Sequence, residues 1–110
     1  AVHALAHITG GGITENLNRA LPATVNAEVD LGTWPIPPVV RFACEQANLS
    51  EEEALKTFNM GLGMVLIVDP AQAEAVEAAL AEAGERTFRV GRIVAGAGEV
   101  QYADEGKLFA

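Results

Sequence analysis

Apolar and polar residues along this chain form short blocks whose periods predict strands and helices in alternation. Residues 25–31 alternate apolar and polar side chains, the period of two expected for a half-buried strand. Residues 63–69 contain five consecutive apolar residues, which predict a central strand buried on both faces. Further extended segments are predicted at residues 4–9, 86–94 and 98–103, the last two joined by a short glycine turn.

Helices are predicted where apolar residues recur every three or four positions. The segments are residues 13–21, 39–47, 51–58 and a stretch that starts at Asp69-Pro70 and stops at Gly84. Ser50 and Glu53 have the spacing of a capping box at the start of the third segment. Because helices and strands interleave, we predict an α+β fold of the three-layer α/β type, a mixed β-sheet flanked by helices.

Composition restricts the function classes. The 110 residues suffice for one domain, and 15 acidic against 7 basic residues give a net charge of −8. That balance argues against binding to nucleic acid or to an anionic membrane surface. Cys44 is the only cysteine, so no internal disulfide forms, and we interpret it as an inert core residue. No apolar run approaches the roughly 20 residues of a membrane span, and the chain is expected to be cytoplasmic.

The first segment with candidate chemistry is His7-Ile8-Thr9-Gly10-Gly11-Gly12, directly ahead of a predicted helix. Bare amides before a helix N-terminus favour anions, because unpaired N–H groups and the helix dipole both attract negative charge. Thr9 and His7 add side-chain donors. The structural alternative is a tight strand-to-helix turn with nothing bound, and spacing alone leaves both open.

The second segment is residues 57–64, between a predicted helix and the most apolar strand. Gly61 and Gly63 suggest a bulge or a close backbone approach. Asn59 either caps the preceding helix or presents its amide to a ligand. The apolar members are interpreted as core residues: Met60, Leu62 and Met64.

Other polar clusters have structural interpretations. Glu51-Glu52-Glu53 fits a solvated first helical turn and not a metal site, and Arg86, Arg89 and Arg92 fit surface charges. Trp34 is either a hydrophobic plug or an exposed contact. No Ser-His-Asp set or spaced carboxylate pair emerges, so catalytic residues stay unassigned and the chain is predicted to form only part of a site.

Two segments of this chain closely resemble the aminoimidazole ribonucleotide synthetases, the cyclo-ligases of purine biosynthesis. They are AHITGGGITENLNRALP at residues 6–22 and KTFNMGLGMVLIV at residues 56–68. The resemblance extends over about residues 3–103 and concerns the C-terminal domain of that family. It implies that family's fold, with residues 1–103 as the domain and 104–110 as a frayed tail. Lys56 replaces a common Arg and Asn18 a frequent Pro.

The resemblance implies an ATP-dependent ring closure that converts formylglycinamidine ribonucleotide to aminoimidazole ribonucleotide, ADP and phosphate. It implies that ATP and Mg²⁺ are bound mainly by an N-terminal domain, which is this chain's partner, and that the full-length protein forms a homodimer. This domain then contributes one wall of a cleft for the phosphorylated ribonucleotide. The residues implied on that wall are His7, Thr9, Gly10, Gly11, Gly12, Asn59, Gly61 and Gly63.

Two other functions fit the same fold. One is a stand-alone module that binds a phosphorylated metabolite or a partner protein. The other is a related ATP-dependent enzyme, similar to selenophosphate synthetase or thiamine-phosphate kinase. If the chain is one domain of the cyclo-ligase, we expect it to be inactive alone and to expose an apolar patch or self-associate through it.

Overall fold

The computed structural model describes residues 2–109, which form five strands and four α-helices. In chain order these are β1 (Val2–His7), α1 (Gly12–Arg19), β2 (Val25–Asp30), α2 (Pro38–Ala47), α3 (Glu51–Thr57), β3 (Met64–Val68), α4 (Ala73–Glu82), β4 (Gly91–Ala95) and β5 (Val100–Ala103). A 3₁₀ turn at Pro70–Gln72 leads into α4. The predicted α+β class is confirmed.

The strands belong to two sheets within residues 2–109, where one mixed sheet was predicted. In the first, β1 pairs with β3 antiparallel. In the second, β2 lies in the centre, antiparallel to β4 and parallel to β5. Since β4 and β5 flank β2 and do not pair with each other, their connection crosses the end of β2. Only the second sheet is therefore mixed.

The two faces of the β1–β3 sheet differ in burial. Ala6 and Ile8 face the core, and their partners Val65 and Gly63 lie on the same side. The opposite side carries Leu5, His7, Met64 and Leu66, which we call the outer face. The prediction that β3 is buried on both faces is wrong. Its five apolar residues are half-buried or exposed, because β1 pairs with one edge and the core covers one side only.

In the three-stranded sheet, the buried residue Asn26 of β2 bonds the connection between β4 and β5. Its Oδ1 accepts hydrogen bonds from the N–H groups of Ala97 and Glu99, at 2.8 and 2.9 Å. These bonds fix the connection between β4 and β5. Strand β4 starts at Gly91, so residues 86–90 are not part of the strand predicted there.

Helix ends follow the sequence closely. Ser50 and Glu53 form the predicted capping box of α3, and Pro38 opens α2. Gly84 has φ of 88° and ends α4 as the predicted left-handed cap. Helix α4 itself has no buried residue. The core lies between the sheets and the first three helices; its members are Ala6, Ile8, Ile13, Leu17, Ala27, Val29, Leu31, Trp34, Cys44, Ala54, Leu55, Met60 and Leu108.

The last described residues pack against α3, which differs from the frayed tail expected from the sequence. The Glu51 carboxylate accepts hydrogen bonds from the N–H groups of Gly106 and Leu108, at 2.7 and 3.0 Å. The Leu108 side chain is fully buried, and Arg41 lies over the Phe109 ring. The tail is held by one carboxylate and one buried leucine. Such contacts leave no periodic pattern of apolar residues in the sequence.

Candidate functional site

Residues 7–12 and 57–64, which we call the glycine segments, are neighbours in space. His7 is paired with Met64, and the N–H of Ile8 donates to the carbonyl of Gly63 at 2.9 Å. Gly12 in turn lies against the carbonyl oxygens of Leu55 and Phe58, at the end of α3. The antiparallel pairing of β1 with β3 thus brings the end of β1 beside the start of β3. All eight predicted site residues lie in these two adjoining segments.

The glycine loop, residues 8–12, turns sharply from β1 into α1. Gly11 and Gly12 have φ of 92° and 66°, which side chains with a Cβ rarely adopt. A Cβ on Gly12 would also collide with backbone of α3, so this glycine permits the close packing of α1 on α3. Gly10 is exposed and has open space where a Cβ would be. The three glycines therefore have different roles in the turn.

Asn16 holds this loop and was missed by the sequence reasoning. Its side chain is buried on α1, and Nδ2 donates to the carbonyl oxygens of Thr9, Gly10 and Gly12 at 3.3, 3.1 and 2.8 Å. The Thr9 hydroxyl donates back to Oδ1 at 3.3 Å. The sequence did contain a hint. Asn16 falls three residues after Ile13 on the apolar face of a helix, where a polar residue needs a partner.

A second tie connects the first turn of α1 to the other sheet. The hydroxyl groups of Thr14 and Tyr102 share a hydrogen bond of 2.8 Å. Burial raises the pKa of the Tyr102 phenol above its usual range, although the bond to Thr14 lowers it in part. The phenol thus stays protonated at neutral pH and keeps this bond. The start of α1 is therefore bonded to the glycine loop through Asn16 and to the second sheet through Thr14.

Asn59 forms a turn of its own. Helix α3 ends at Thr57, and Asn59 Oδ1 accepts from the N–H of Gly61 at 2.8 Å. The turn is completed by Met60 in a left-handed conformation and by Gly61, whose Cβ would collide with Pro37. The side chain of Asn59 is therefore used in a turn and not as the helix cap considered above. It remains exposed at the surface.

Buried residues behind the turn hold it in place. Met60 is fully buried, and its carbonyl accepts from Trp34 Nε1 at 3.0 Å. Of the two alternatives for Trp34, the structure shows the hydrophobic plug. Leu62 packs against the core, whereas Met64 is 50% exposed, so its prediction as a core residue is wrong. Gly63 is exposed, with open space at its Cβ position.

Charges near the loop have both signs. The Glu15 carboxylate lies beside Gly11, 3.9 Å from the Arg19 guanidinium. Lys56 pairs with Glu52 at 3.1 Å. His7 precedes the loop and Thr9 lies in it, and both are exposed. The loop therefore has open backbone at Gly10 and a nearby imidazole, and the Glu15 carboxylate beside it is partly balanced by Arg19.

A cavity of about 670 Å³ opens between α1, α3 and β5. Thr14, Leu55, Lys56 and Tyr102 are among the residues that line it, together with several glutamates. None of the eight predicted site residues lines this cavity. The predicted site is thus a surface loop beside the cavity and not an enclosed pocket.

Two features are absent from residues 2–109. No three His, Cys, Asp or Glu side chains are grouped so that they could hold a metal ion within this part of the chain. Among the helices of the described residues, none has both the length and the apolar character that crossing a membrane requires.

Other surface predictions agree with the structure. Arg89 forms a bidentate ion pair with Glu77, and Arg92 pairs with Glu28 at 2.7 Å. The Arg89 guanidinium lowers the pKa of the Glu77 carboxyl through this hydrogen bond. Cys44 is buried, and burial raises the pKa of its thiol, as expected for an inert core residue.

Comparison with known proteins identifies the same family that residues 6–22 and 56–68 resemble. The family model described as AIR synthase related protein, C-terminal domain, matches residues 1–103. A phosphoribosylformylglycinamidine cyclo-ligase of Methylobacillus flagellatus is 50% identical over 101 residues, which are 91% of this chain and 29% of that protein. A bifunctional purine biosynthetic protein purD of Dictyostelium discoideum is 46% identical over 93 residues, 84% of this chain and 11% of that protein. The chain thus spans less than a third of each relative.

Proposed function

The chain belongs to the family of AIR synthase related proteins, as their C-terminal domain, and on this basis we propose that it is part of a phosphoribosylformylglycinamidine cyclo-ligase. The 50% identity to a cyclo-ligase over 91% of the chain supports this reaction over those of other ATP-dependent enzymes. The whole protein then converts formylglycinamidine ribonucleotide and ATP to aminoimidazole ribonucleotide, ADP and phosphate.

In this proposal the chain binds and orients the ribonucleotide. The observation that carries it is the juxtaposition of the two glycine segments, joined by the bond from Ile8 N–H to the Gly63 carbonyl. Gly10, Gly11 and Gly12 cradle the substrate phosphate, and Gly61 and Gly63 keep the adjoining backbone open. His7, Thr9 and Asn59 are polar contacts to the substrate. Ring closure depends mainly on such positioning, because the reacting groups belong to one molecule.

The nucleotide is assigned to another part of the protein. Residues 2–109 offer no cluster of carboxylates for a metal, so we derive no step on this chain that involves Mg²⁺. We place ATP and Mg²⁺ in an N-terminal domain that closes over the glycine segments, and we propose a cytoplasmic homodimer for the full-length protein. The alternatives, a stand-alone binding module or a related ATP-dependent enzyme similar to selenophosphate synthetase or thiamine-phosphate kinase, predict different ligands for the same surface.

Asn59→Asp in the full-length protein tests the site with the least structural disturbance. Aspartate keeps the acceptor for the Gly61 N–H, so the turn is preserved. It replaces the amide donor by a negative charge, which repels a phosphorylated substrate. We expect the KM for formylglycinamidine ribonucleotide to rise about tenfold or more, while the KM for ATP changes little.

The matched control is Asn48→Asp. Asn48 is also exposed, but it ends α2 with a left-handed backbone and belongs to neither glycine segment. It makes the same change in net charge and is expected to leave both KM values unchanged. Equal effects of the two variants, or a rise in the KM for ATP alone, would count against the proposed ribonucleotide site. Absence of any ring-closing activity in the full-length protein would refute the cyclo-ligase assignment.

A further inference from the structure

The hydrogen bonds of Asn16 are directed entirely at the glycine loop. Its Nδ2 reaches three carbonyl oxygens, and its Oδ1 receives the Thr9 hydroxyl. The side chain is only 7% exposed, and apart from the bond to Gly12, the first residue of α1, these bonds go to Thr9 and Gly10. Asparagine is a poor residue for the middle of a helix, and its burial is costly without partners. Its position is therefore explained by the turn that joins the loop to the start of α1.

These bonds also determine where the loop's N–H groups point. In a planar trans peptide the C=O of one residue and the N–H of the next point in opposite directions. The carbonyls of Thr9, Gly10 and Gly12 point towards the Asn16 amide. The N–H groups of Gly10 and Gly11, which follow the Thr9 and Gly10 carbonyls, must then point away from it. The Gly12 carbonyl already belongs to α1, and Ile13 is buried. For Gly10 and Gly11, no acceptor is found within residues 2–109.

We propose that Asn16 is a positioning residue for substrate binding. It turns the Thr9 and Gly10 carbonyls inwards and so keeps the N–H groups of Gly10 and Gly11 directed outwards, where they meet the substrate phosphate. The inference rests on the proposed function for the identity of the ligand, but the orientation of the loop can be tested without any ligand. Asn16 itself does not contact the substrate.

The ligand-free test is amide hydrogen exchange of Gly12 in the 110-residue chain. In the wild type this N–H donates to the Thr9 carbonyl at 3.0 Å, and that carbonyl is held by Asn16. In Asn16→Ala we expect exchange at Gly12 to accelerate about tenfold more than exchange of amides in β2, which reports global stability. Thr9→Ala removes only the hydroxyl bond at an exposed position and should act in the same direction, by about threefold.

The matched control is Asn26→Ala. Asn26 is equally buried and bonds two backbone N–H groups, but it lies in β2 and holds the connection between β4 and β5. We expect this variant to lower global stability by a similar amount. Exchange at Gly12 should then follow global stability without an additional local change.

The ligand test uses ribose 5-phosphate, with ribose as the control for the phosphate. We expect ribose 5-phosphate to shift the amide resonances of Gly10 and Gly11. Asn16→Ala should weaken its binding about tenfold, and Asn26→Ala should change that binding less than about twofold.

If the wild type does not bind, the proposed phosphate site fails, and exchange at Gly12 still decides the role of Asn16. If Gly12 exchanges alike in the two alanine variants, the inference about Asn16 is overturned even when the phosphate binds. Should Asn16→Ala not fold, an unchanged Gly12 in Thr9→Ala would overturn it.

Discussion

The three consecutive glycines look equivalent in sequence and have different surroundings in the structure. Gly12 has positive φ and no room for a Cβ, because the carbonyls of Leu55 and Phe58 lie there. Gly10 has neither restriction. Chemical identity therefore does not decide what a substitution costs; the neighbouring backbone does.

Gly12→Ala is expected to destabilise the chain by about 2–4 kcal/mol, through the left-handed backbone and the forced separation of α1 from α3. Gly10→Ala is expected to change stability by less than about 1 kcal/mol. Urea unfolding of both variants measures the difference. Equal stabilities would show that α1 does not pack on α3 as closely as described.

At the scale of elements, the C-terminal segment is fastened to the start of α3 by Glu51. This carboxylate accepts from the N–H groups of Gly106 and Leu108, which places the Leu108 side chain in the core. Its neighbour Glu52 pairs only with the exposed Lys56. Two adjacent glutamates of one helical turn thus differ in structural importance.

We expect Glu51→Ala to lower the free energy of unfolding by about 1–2 kcal/mol, because two backbone donors lose their acceptor. Glu52→Ala should cost about 0.5 kcal/mol or less, as is usual for an exposed i,i+4 pair. Thermal unfolding of the two variants gives the comparison, and proteolysis after residue 103 should be faster only in Glu51→Ala. A stable, protease-resistant Glu51→Ala would mean that Leu108 alone holds the tail.

How much of the fold was predictable depends on the range of the interactions involved. The capping box at Ser50 and the left-handed end of α4 at Gly84 are encoded within a few residues, and both were predicted. The exposure of β3, the docking of Leu108 and the role of Asn16 depend on partners brought together only by the fold. The two glycine segments were found by residue type, but their contact required the pairing of β1 with β3.

At the scale of the whole molecule, the outer face of the β1–β3 sheet stands out as apolar and uncovered within residues 2–109. Leu5 is 59% exposed and Met64 50%, and both lie beside His7 on the same side of the sheet. In the described residues, β1 and β3 pair only with each other, so each also has an unpaired edge. Apolar side chains next to open strand edges favour association. We expect the remainder of a full-length protein to cover this face.

The 110-residue chain alone is therefore expected to self-associate through the outer face. Sedimentation velocity should show a sedimentation coefficient that rises with concentration, and Leu5→Ser with Met64→Ser should abolish the rise. Val39→Ser with Phe42→Ser is the control, because those side chains are also exposed but lie on a helix, which has no open strand edge. The helix variants should associate like the wild type. A wild type that stays monomeric at every concentration would contradict this prediction and weaken the case that the outer face is a contact surface for another domain.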